Sequence, residues 1–571
     1  MFVTTIRSKQ KGKVYETHLV RRTFREKGEV RTETLANITQ LPADVRDLVR
    51  RSLRGERCVA IDALEVVSGR AHGHVALIRG VIGDVGLRRA LSPKRCRERQ
   101  LVEAMIVARI LAPQSKLATT RWWHTTTLPE ELEVADATED ELYAALDWLA
   151  EQQPRIEQRL ARKCLEDGAL VLYDLSSSYV TGRCCPLAAH GHSRDHRPDK
   201  AQVVYGVITN GKGCPVSVEV FAGNTSDTAT VMDQVHKVKD RFGLERLILV
   251  GDRGMIKQTR IKELRKIDGV DWICALDTAQ IRALVEGGDL QLGLFDQRDL
   301  MEITSEHYPG ERLVVCRNPL LAAQRARKRE ELLLATEQRL RAIARAVAAG
   351  RLKKGVAIAE RVGRAWGAQR MRKHFRTEID DGVFRFERDE KGITREASLD
   401  GFYVIRTSVQ DARSYPADEV VRSYKCLSRV EHVFRNMKTT QLLVRPIYHY
   451  NEHRVRAHIF LCMLAAHVLW HLERRLADLL FHDPDLDELK RTSDPVAPTR
   501  RSEEGVRKDR EHTSADDYPL HSLKTLLAAM GTLQRLTMRV ANVQGAPTWD
   551  QLSVPSPHQR RVFDDAGVRL M

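Results

Sequence analysis

Two continuous apolar runs constrain this chain more than any other feature. Residues 168–174 read GALVLYD and residues 245–252 read ERLILVGD, so each run closes on a single carboxylate, Asp174 and Asp252. Short apolar runs bounded by turn signals are strands covered on both faces, and such strands belong inside an α/β sheet. The surrounding segments agree. AQVVYGVIT and CPVSVEVFAG are strand candidates joined by the turn NGKG, TATVMDQVHKVKDRFG reads as a helix, and VDWICAL is a further strand. Strands in a row, then strand–helix alternation, predict an α/β core with some antiparallel character.

The flanks have other textures. The first 40 residues alternate polar and apolar in short runs separated by KQKGK and EKGE, a pattern of β-hairpins with one wet face. From about residue 41 to 164 the pattern turns helical. RQLVEAMIVARILAP ends at Pro113, and EDELYAALDWLAEQQ is expected to stop before Pro154. After residue 400, GFYVIRT returns as a strand and EVVRSYKCLSRVEHVFRNMK as a helix. Residues 483–517, rich in Pro, Ser, Asp and Arg, read as a flexible linker, and SLKTLLAAMGTLQRLTMRV as a final small helix. A chain of 571 residues exceeds one core and implies about three to four units at roughly 150 residues each. The divisions are a β-rich region 1–55, a helical DNA-binding module 56–165, core segments 166–277 and 400–480, an insertion 278–399, and a linker with a C-terminal helix, 481–571.

Charge narrows the partners. Lys and Arg number 93 against 77 Asp and Glu, a net +16, and a chain this basic is drawn to polyanions. Residues 321–376 alone hold 16 Lys and Arg against four Glu, so three quarters of the net charge sits in one insert. The concentration of one sign favours a phosphate-contacting helical hairpin, with Arg325, Arg327, Arg339 and Arg341 as DNA-binding candidates; a solvated helical face is the alternative. Trp366, alone in that insert, reads as a core residue before a base-stacking one. Ten scattered cysteines show no CxxC pair and only Cys184–Cys185 adjacent, so neither zinc nor redox spacing is present. They read as reduced thiols of a cytoplasmic protein. The N-terminus carries no apolar export segment. HIFLCMLAAHVLWHL, 15 residues, is short of the roughly 20 a bilayer needs and reads as a buried helix.

A third acid stands out by its spacing. Tyr424, Glu431 and Lys438 are seven apart, so on a straight α-helix they form one stripe, with Leu427 and Arg435 beside Glu431. A hydroxyl, a carboxylate and cations on one stripe suit a groove holding a metal ion and a phosphate backbone.

At these residues the chain resembles the DDE transposases of bacterial insertion sequences, in the group whose last acid sits in a Tyr–Arg–Glu–Lys signature. The matching pieces are LYDLSSSYV around Asp174, FAGNTSD, VGDRGM around Asp252, DGFYVIRT, and YKCLSRVEHVFRNMK around Glu431. Leu427 stands where the signature has Arg, so no arginine role is carried over. The resemblance implies an RNase H-like core, a mixed sheet flanked by helices, with a basic insertion before the last catalytic helix. It implies that Asp174, Asp252 and Glu431 are the catalytic, metal-binding acids, holding two Mg²⁺ with Mn²⁺ as a substitute. Arg253, Tyr424, Arg435 and Lys438 would contact DNA phosphates. The implied activity is strand cleavage at terminal inverted repeats and strand transfer into target DNA, by a homodimer on double-stranded DNA, away from membranes. Two other readings fit the same acids: another RNase H-like nuclease, and a transposase-derived DNA-binding protein that has lost catalysis.

Overall fold

The computed structural model describes residues 1–10, 12–56, 63–182, 184–296, 299–369, 371–541 and 547–570. It divides into two compact units, one built from residues 1–71 and 533–554 and the other from the remainder.

The smaller unit is largely β. Strands β1 (Phe2–Gln10), β2 (Lys13–Glu26) and β3 (Glu29–Asn37) form an antiparallel meander whose turns carry the positive-φ glycines Gly12 and Gly28. Helix α1 (Ala43–Leu53) follows. The second sheet differs from expectation. Strand β4 (Leu64–Ala71), within the span expected to be helical, pairs with β15 (Gln534–Val540), which pairs with β16 (Trp549–Leu552). The expected last helix therefore ends early, at Met530. QRLTMRV alternates with period two and finds its partner at the far end of the chain, which local pattern does not reveal.

In the larger unit an eight-stranded mixed sheet runs β10-β11-β14-β9-β8-β5-β6-β7. Its strands are β5 (Ala169–Tyr179), β6 (Gln202–Asn210), β7 (Pro215–Ala222), β8 (Leu247–Val250), β9 (Val270–Ala275), β10 (Leu300–Ile303), β11 (Arg312–Arg317) and β14 (Phe402–Thr407). Only β5–β8 and β8–β9 pair in parallel; every other neighbour is antiparallel. The strands β10 and β11 were expected in the insertion but belong to this sheet. Leu313, Val314 and Val315 are fully buried, and Val314 faces Ile405 of β14.

Helices α2 (Gly73–Asp84), α3 (Arg97–Leu111) and α4 (Glu139–Cys164) form the helical layer. Helix α4 runs straight through Pro154, against the expected stop. Proline removes one hydrogen bond, but both flanks are anchored. The Gln153 amide donates to the Val218 carbonyl (2.8 Å), and the Glu157 carboxylate accepts from the Val218 N–H (3.1 Å). The insertion proper consists of the hairpin α5 (Pro319–Ala348) and α6 (Gly355–Gln369), then β12 (Phe375–Asp380) and β13 (Val383–Arg388). It has its own core around Leu333, Leu340, Ile358, Val362, Phe375 and Phe384. Trp366 packs on that core with the Arg372 guanidinium 5.7 Å from its ring centroid, so it is a packing residue.

Helices α7 (Ala417–Lys425) and α8 (Leu427–Arg435) follow β14, and α9 (Glu452–Arg475) packs against α4, α3 and β7. Helix α9 outruns its apolar 15-residue stretch and is long and apolar enough to cross a bilayer, yet 83% of its most apolar window is buried in the protein. The expected flexible linker is instead folded, with α10 (Leu486–Thr492) and α11 (Glu503–Glu511). Its anchors are polar, which composition conceals. Buried Asp483 accepts from the Ser502 N–H and hydroxyl (2.8 and 2.6 Å), and buried Lys508 donates to the carbonyls of Ala477 and His482. Helices α12 (Leu523–Met530) and α13 (Pro557–Ala566) complete the unit.

Candidate active site

The central parallel pair aligns two of the three acids. Leu172 of β5 lies opposite Val250 of β8, and Asp174 and Asp252 each follow two residues later. Equal offsets from this pair bring both acids to the same edge of the parallel strands, Asp174 within β5 and Asp252 just beyond the carboxyl end of β8. Asp174 is not the end of its strand, because β5 continues to Tyr179 paired with β6. Helix α8 packs on β5 and carries Glu431, which shares a cavity of about 310 Å³ with Asp174.

Asp174 feels the charges of both other acids. Asp174 is pushed up to about 7, chiefly by burial, then by the charges of Asp252 and Glu431; the Leu175 N–H (2.8 Å) and the Arg194 guanidinium oppose the shift. Asp252 accepts from the Arg253 N–H (2.7 Å) and from the Tyr424 hydroxyl (3.4 Å). Burial raises the Tyr424 hydroxyl well above its ordinary range, with the Asp252 charge adding to it, so this phenol stays protonated and donates. Carboxylate oxygens, one of them on an acid that resists ionisation, are the donor chemistry of a hard divalent cation such as Mg²⁺ or Mn²⁺. Ionising Asp174 above pH 7 costs folded-state stability without such a cation, and the cost vanishes as pH falls through 7 towards the ordinary carboxylate range. Asp174→Asn is therefore expected to raise Tm at pH 8 in chelator by a few degrees, by less at pH 5, and not at all near pH 3; calorimetry across that range checks this.

The stripe drawn through Tyr424, Glu431 and Lys438 is only partly realised. The helix breaks at Cys426 and widens into a π-helical turn at Asn436–Thr440, so seven residues no longer return to one direction. Lys438 turns inward. Its Nζ lies 2.5 Å from Asp195 Oδ1 and donates to the Ser176 hydroxyl (3.0 Å), and Arg445 pairs with the same carboxylate. Only 1% of the Asp195 side chain is exposed. Lys438 thus reaches the cavity of Asp174 and Glu431 as one member of a buried ionic cluster with Asp195 and Arg445. Leu427 is half-buried, and Arg429 points away to the Gly211 carbonyl and Asp487.

The other candidates are on the surface. Arg435 is exposed and lines the cavity shared by Asp174 and Glu431, and Arg253 is exposed next to Asp252. Arg325, Arg327, Arg339 and Arg341 are exposed on α5, with Glu331 3.8 Å from Arg327 and Glu337 3.3 Å from Arg341. Arg329 of the same helix is buried against Asp400. Sequence reasoning missed Arg194, Asp195 and Arg445. Arg194 lines the cavity and is paired to Asp227 (2.6 Å). The signal was slight: RD inside the polar loop HGHSRDH between β5 and β6, with no periodicity to set it apart.

Residues 186–469 match the transposase DDE domain family. The matched span contains Asp252, Glu431 and Lys438 and begins after Asp174. The match supports a DDE transposase, an enzyme of the polynucleotidyl-transferase type, whose members depend in general on divalent metal. No curated protein matches the sequence. Among solved structures, the piggyBac transposase synaptic complex with hairpin DNA is similar over 70% of this chain and 72% of its own, at 8% identity and a TM-score of 0.34.

Proposed function

We propose that this protein is the transposase of an insertion sequence, which binds the element's terminal inverted repeats, cleaves strands there and joins them to target DNA. The observation that carries the reading is the placement of Asp174 on β5, Asp252 just past the parallel strand β8 and Glu431 on the helix packed over β5, with Asp252 and Glu431 inside the span matching the transposase DDE domain. An RNase H-like core and the Tyr–Arg–Glu–Lys group are part of this reading. Asp174, Asp252 and Glu431 would hold Mg²⁺, which would supply charge neutralisation at the scissile phosphate and activation of the attacking oxygen. The chain's own residues do the rest. Arg435 and Arg253 meet phosphates flanking the break, Tyr424 keeps the Asp252 carboxylate oriented, and Arg194 adds positive potential beside Asp174. Two ends must be paired, which calls for a dimer on DNA in the bacterial cytoplasm. The test incubates the full chain with Mg²⁺ and DNA carrying the inverted repeats that flank its reading frame. Breaks with free 3′-OH groups at the repeat ends are expected; uncut repeats with Mg²⁺ and with Mn²⁺ would sink the proposal.

The basic hairpin α5–α6 supplies much of the sequence-independent affinity in this reading. Log affinity falls with log salt by roughly 0.9 per phosphate neutralised on duplex DNA. Replacing Arg325, Arg327, Arg339 and Arg341 together by Gln should make that slope shallower by up to about 3 to 4, measured by fluorescence anisotropy across a salt series. An unchanged slope would return α5 to a solvated helical face.

A further inference from the structure

A second cluster of side chains able to hold a metal is assembled from three separate elements. Cys164 closes α4, Cys214 precedes β7 at the end of the β6–β7 turn, and His467 sits midway along α9. Fifty residues separate the two cysteines in sequence and 253 separate Cys214 from His467, so no spacing motif announces them. In the fold, one ligand atom from each lies within 4.8 Å of the other two. Cys214 and His467 are buried, at 1% exposure each. His471, four residues on and hence on the same face of α9, packs edge-on against His467 with ring centroids 4.9 Å apart.

We propose that Cys164, Cys214 and His467 hold a structural zinc, with the neighbouring His471 imidazole turning in as the fourth donor. The donor set is Cys₂His₂, and a His-x₃-His pair on one helix is a recurrent half of such sites. Zn–S of about 2.3 Å and Zn–N of about 2.0 Å in a tetrahedron require sulfur and nitrogen about 3.5 Å apart. Cys214 Sγ and His467 Nδ1 are 3.4 Å apart. Two thiolates and one Zn²⁺ sum to zero charge, so the complete site is compatible with burial. The backbone around the cysteines is already tied together. The Asn210 amide donates to the Cys164 carbonyl (3.2 Å), and its oxygen accepts from the Cys214 N–H (2.9 Å). His467 Nδ1 also lies 2.9 Å from the Pro215 carbonyl, so metal binding exchanges that hydrogen bond for a Zn–N bond. Soft thiolates select zinc over the hard cations that suit the acids. The metal would clasp α4, the β6–β7 hairpin and α9 into one block.

The test uses the full chain purified under reducing conditions without chelator. Elemental analysis should find about one zinc per chain, retained in Asp174→Asn/Glu431→Gln and lost in Cys164→Ser/Cys214→Ser. Substitution of cobalt should give intense near-ultraviolet thiolate-to-metal absorption, which carboxylate ligands cannot give. This readout needs only the wild-type chain, so it stands even if the double-serine variant fails to fold. A zinc-selective chelator should lower Tm, with recovery on adding Zn²⁺ but not Mg²⁺. His471→Ala should keep the cobalt–thiolate band and bind zinc at least tenfold more weakly; unchanged affinity would remove His471 from the set. Wild-type protein with no zinc and no thiolate-to-cobalt band would overturn the proposal, whatever the activity of the three acids.

Discussion

Alanine at Asp174, Asp252 or Glu431 is expected to abolish metal-dependent cleavage and strand transfer while leaving end binding within about twofold. Carboxylates repel DNA, so removing one costs metal and not affinity for the duplex. Metal-ion stabilisation of phosphoryl transfer is worth several kcal/mol, and about 4 kcal/mol corresponds to a thousandfold in rate. A loss of at least about a thousandfold in single-turnover rate is therefore the expected size for each variant. The three need not behave alike towards the metal. Asp174 is held up near 7 chiefly by burial, with the charges of Asp252 and Glu431 adding to it, so Asp252→Ala and Glu431→Ala should let it ionise somewhat more easily. The test is single-turnover cleavage of a pre-bound end with Mg²⁺ saturating, beside a gel-shift measurement of binding. Any variant that still cuts at the wild-type rate is not a metal ligand.

Asp195→Ala is expected to be the most destabilising single change near the site. Its carboxylate is almost fully buried and neutralises both Lys438 and Arg445, and its second oxygen accepts from the Tyr179 N–H (3.2 Å). Removing the shared anion leaves two cations facing each other out of water, a change that typically costs about 3 to 5 kcal/mol. Burial already pulls the Lys438 ammonium below its ordinary range, and Asp195 is the group that pulls it back. Cleavage should fall with stability, because Ser176, which accepts from Lys438, stands two residues from Asp174 on β5. Lys438→Ala discriminates between the two roles the lysine could hold. A phosphate-binding lysine would reduce the salt slope by roughly 0.9 when removed. A lysine confined to the Asp195 cluster should lower Tm and leave that slope intact, which is the expected result. Chemical denaturation of both variants, with salt-dependent binding of Lys438→Ala, settles the matter.

The three acids were legible because each was announced locally. Asp174 and Asp252 follow apolar runs that could only be buried strands, and parallel pairing then needs little more than register to bring them together. Glu431 stood out through helical spacing, and the same spacing brings Lys438 to the same cavity but gives no sign of its pairing with Asp195. Periodicity assumes an ideal helix, and the wide turn at residues 436–440 rotates the lysine into the protein. The groups that sequence reasoning missed share one property: their partners lie far away along the chain. Asp195 is set by Lys438 and Arg445, and Cys164 and Cys214 by His467. The same holds for β15, whose partner β4 lies at the other end of the sequence. Residues 483–517 were misread because Asp483, Ser502 and Lys508 fold them through hydrogen bonds, whereas composition weighs only apolar content.

Arg317 and Phe402 are opposite each other at the ends of β11 and β14, and the Asn318 N–H donates to the Gly401 carbonyl at 2.9 Å. The arm between them departs and returns through one doorway, at a place where a sheet would otherwise make an ordinary hairpin. Its interior is its own, built around residues such as Leu340, Ile358 and Phe384. The entropy of closing so long a loop is offset by strand pairing at its base and grows only slowly with length. A lineage can therefore lengthen, trim or exchange this arm without rewriting the sheet that aligns Asp174 with Asp252. Replacing it by a two-residue Asn-Gly turn should leave a soluble, folded chain stripped of its most basic surface, the arm behaving as an interchangeable tool on a fixed handle.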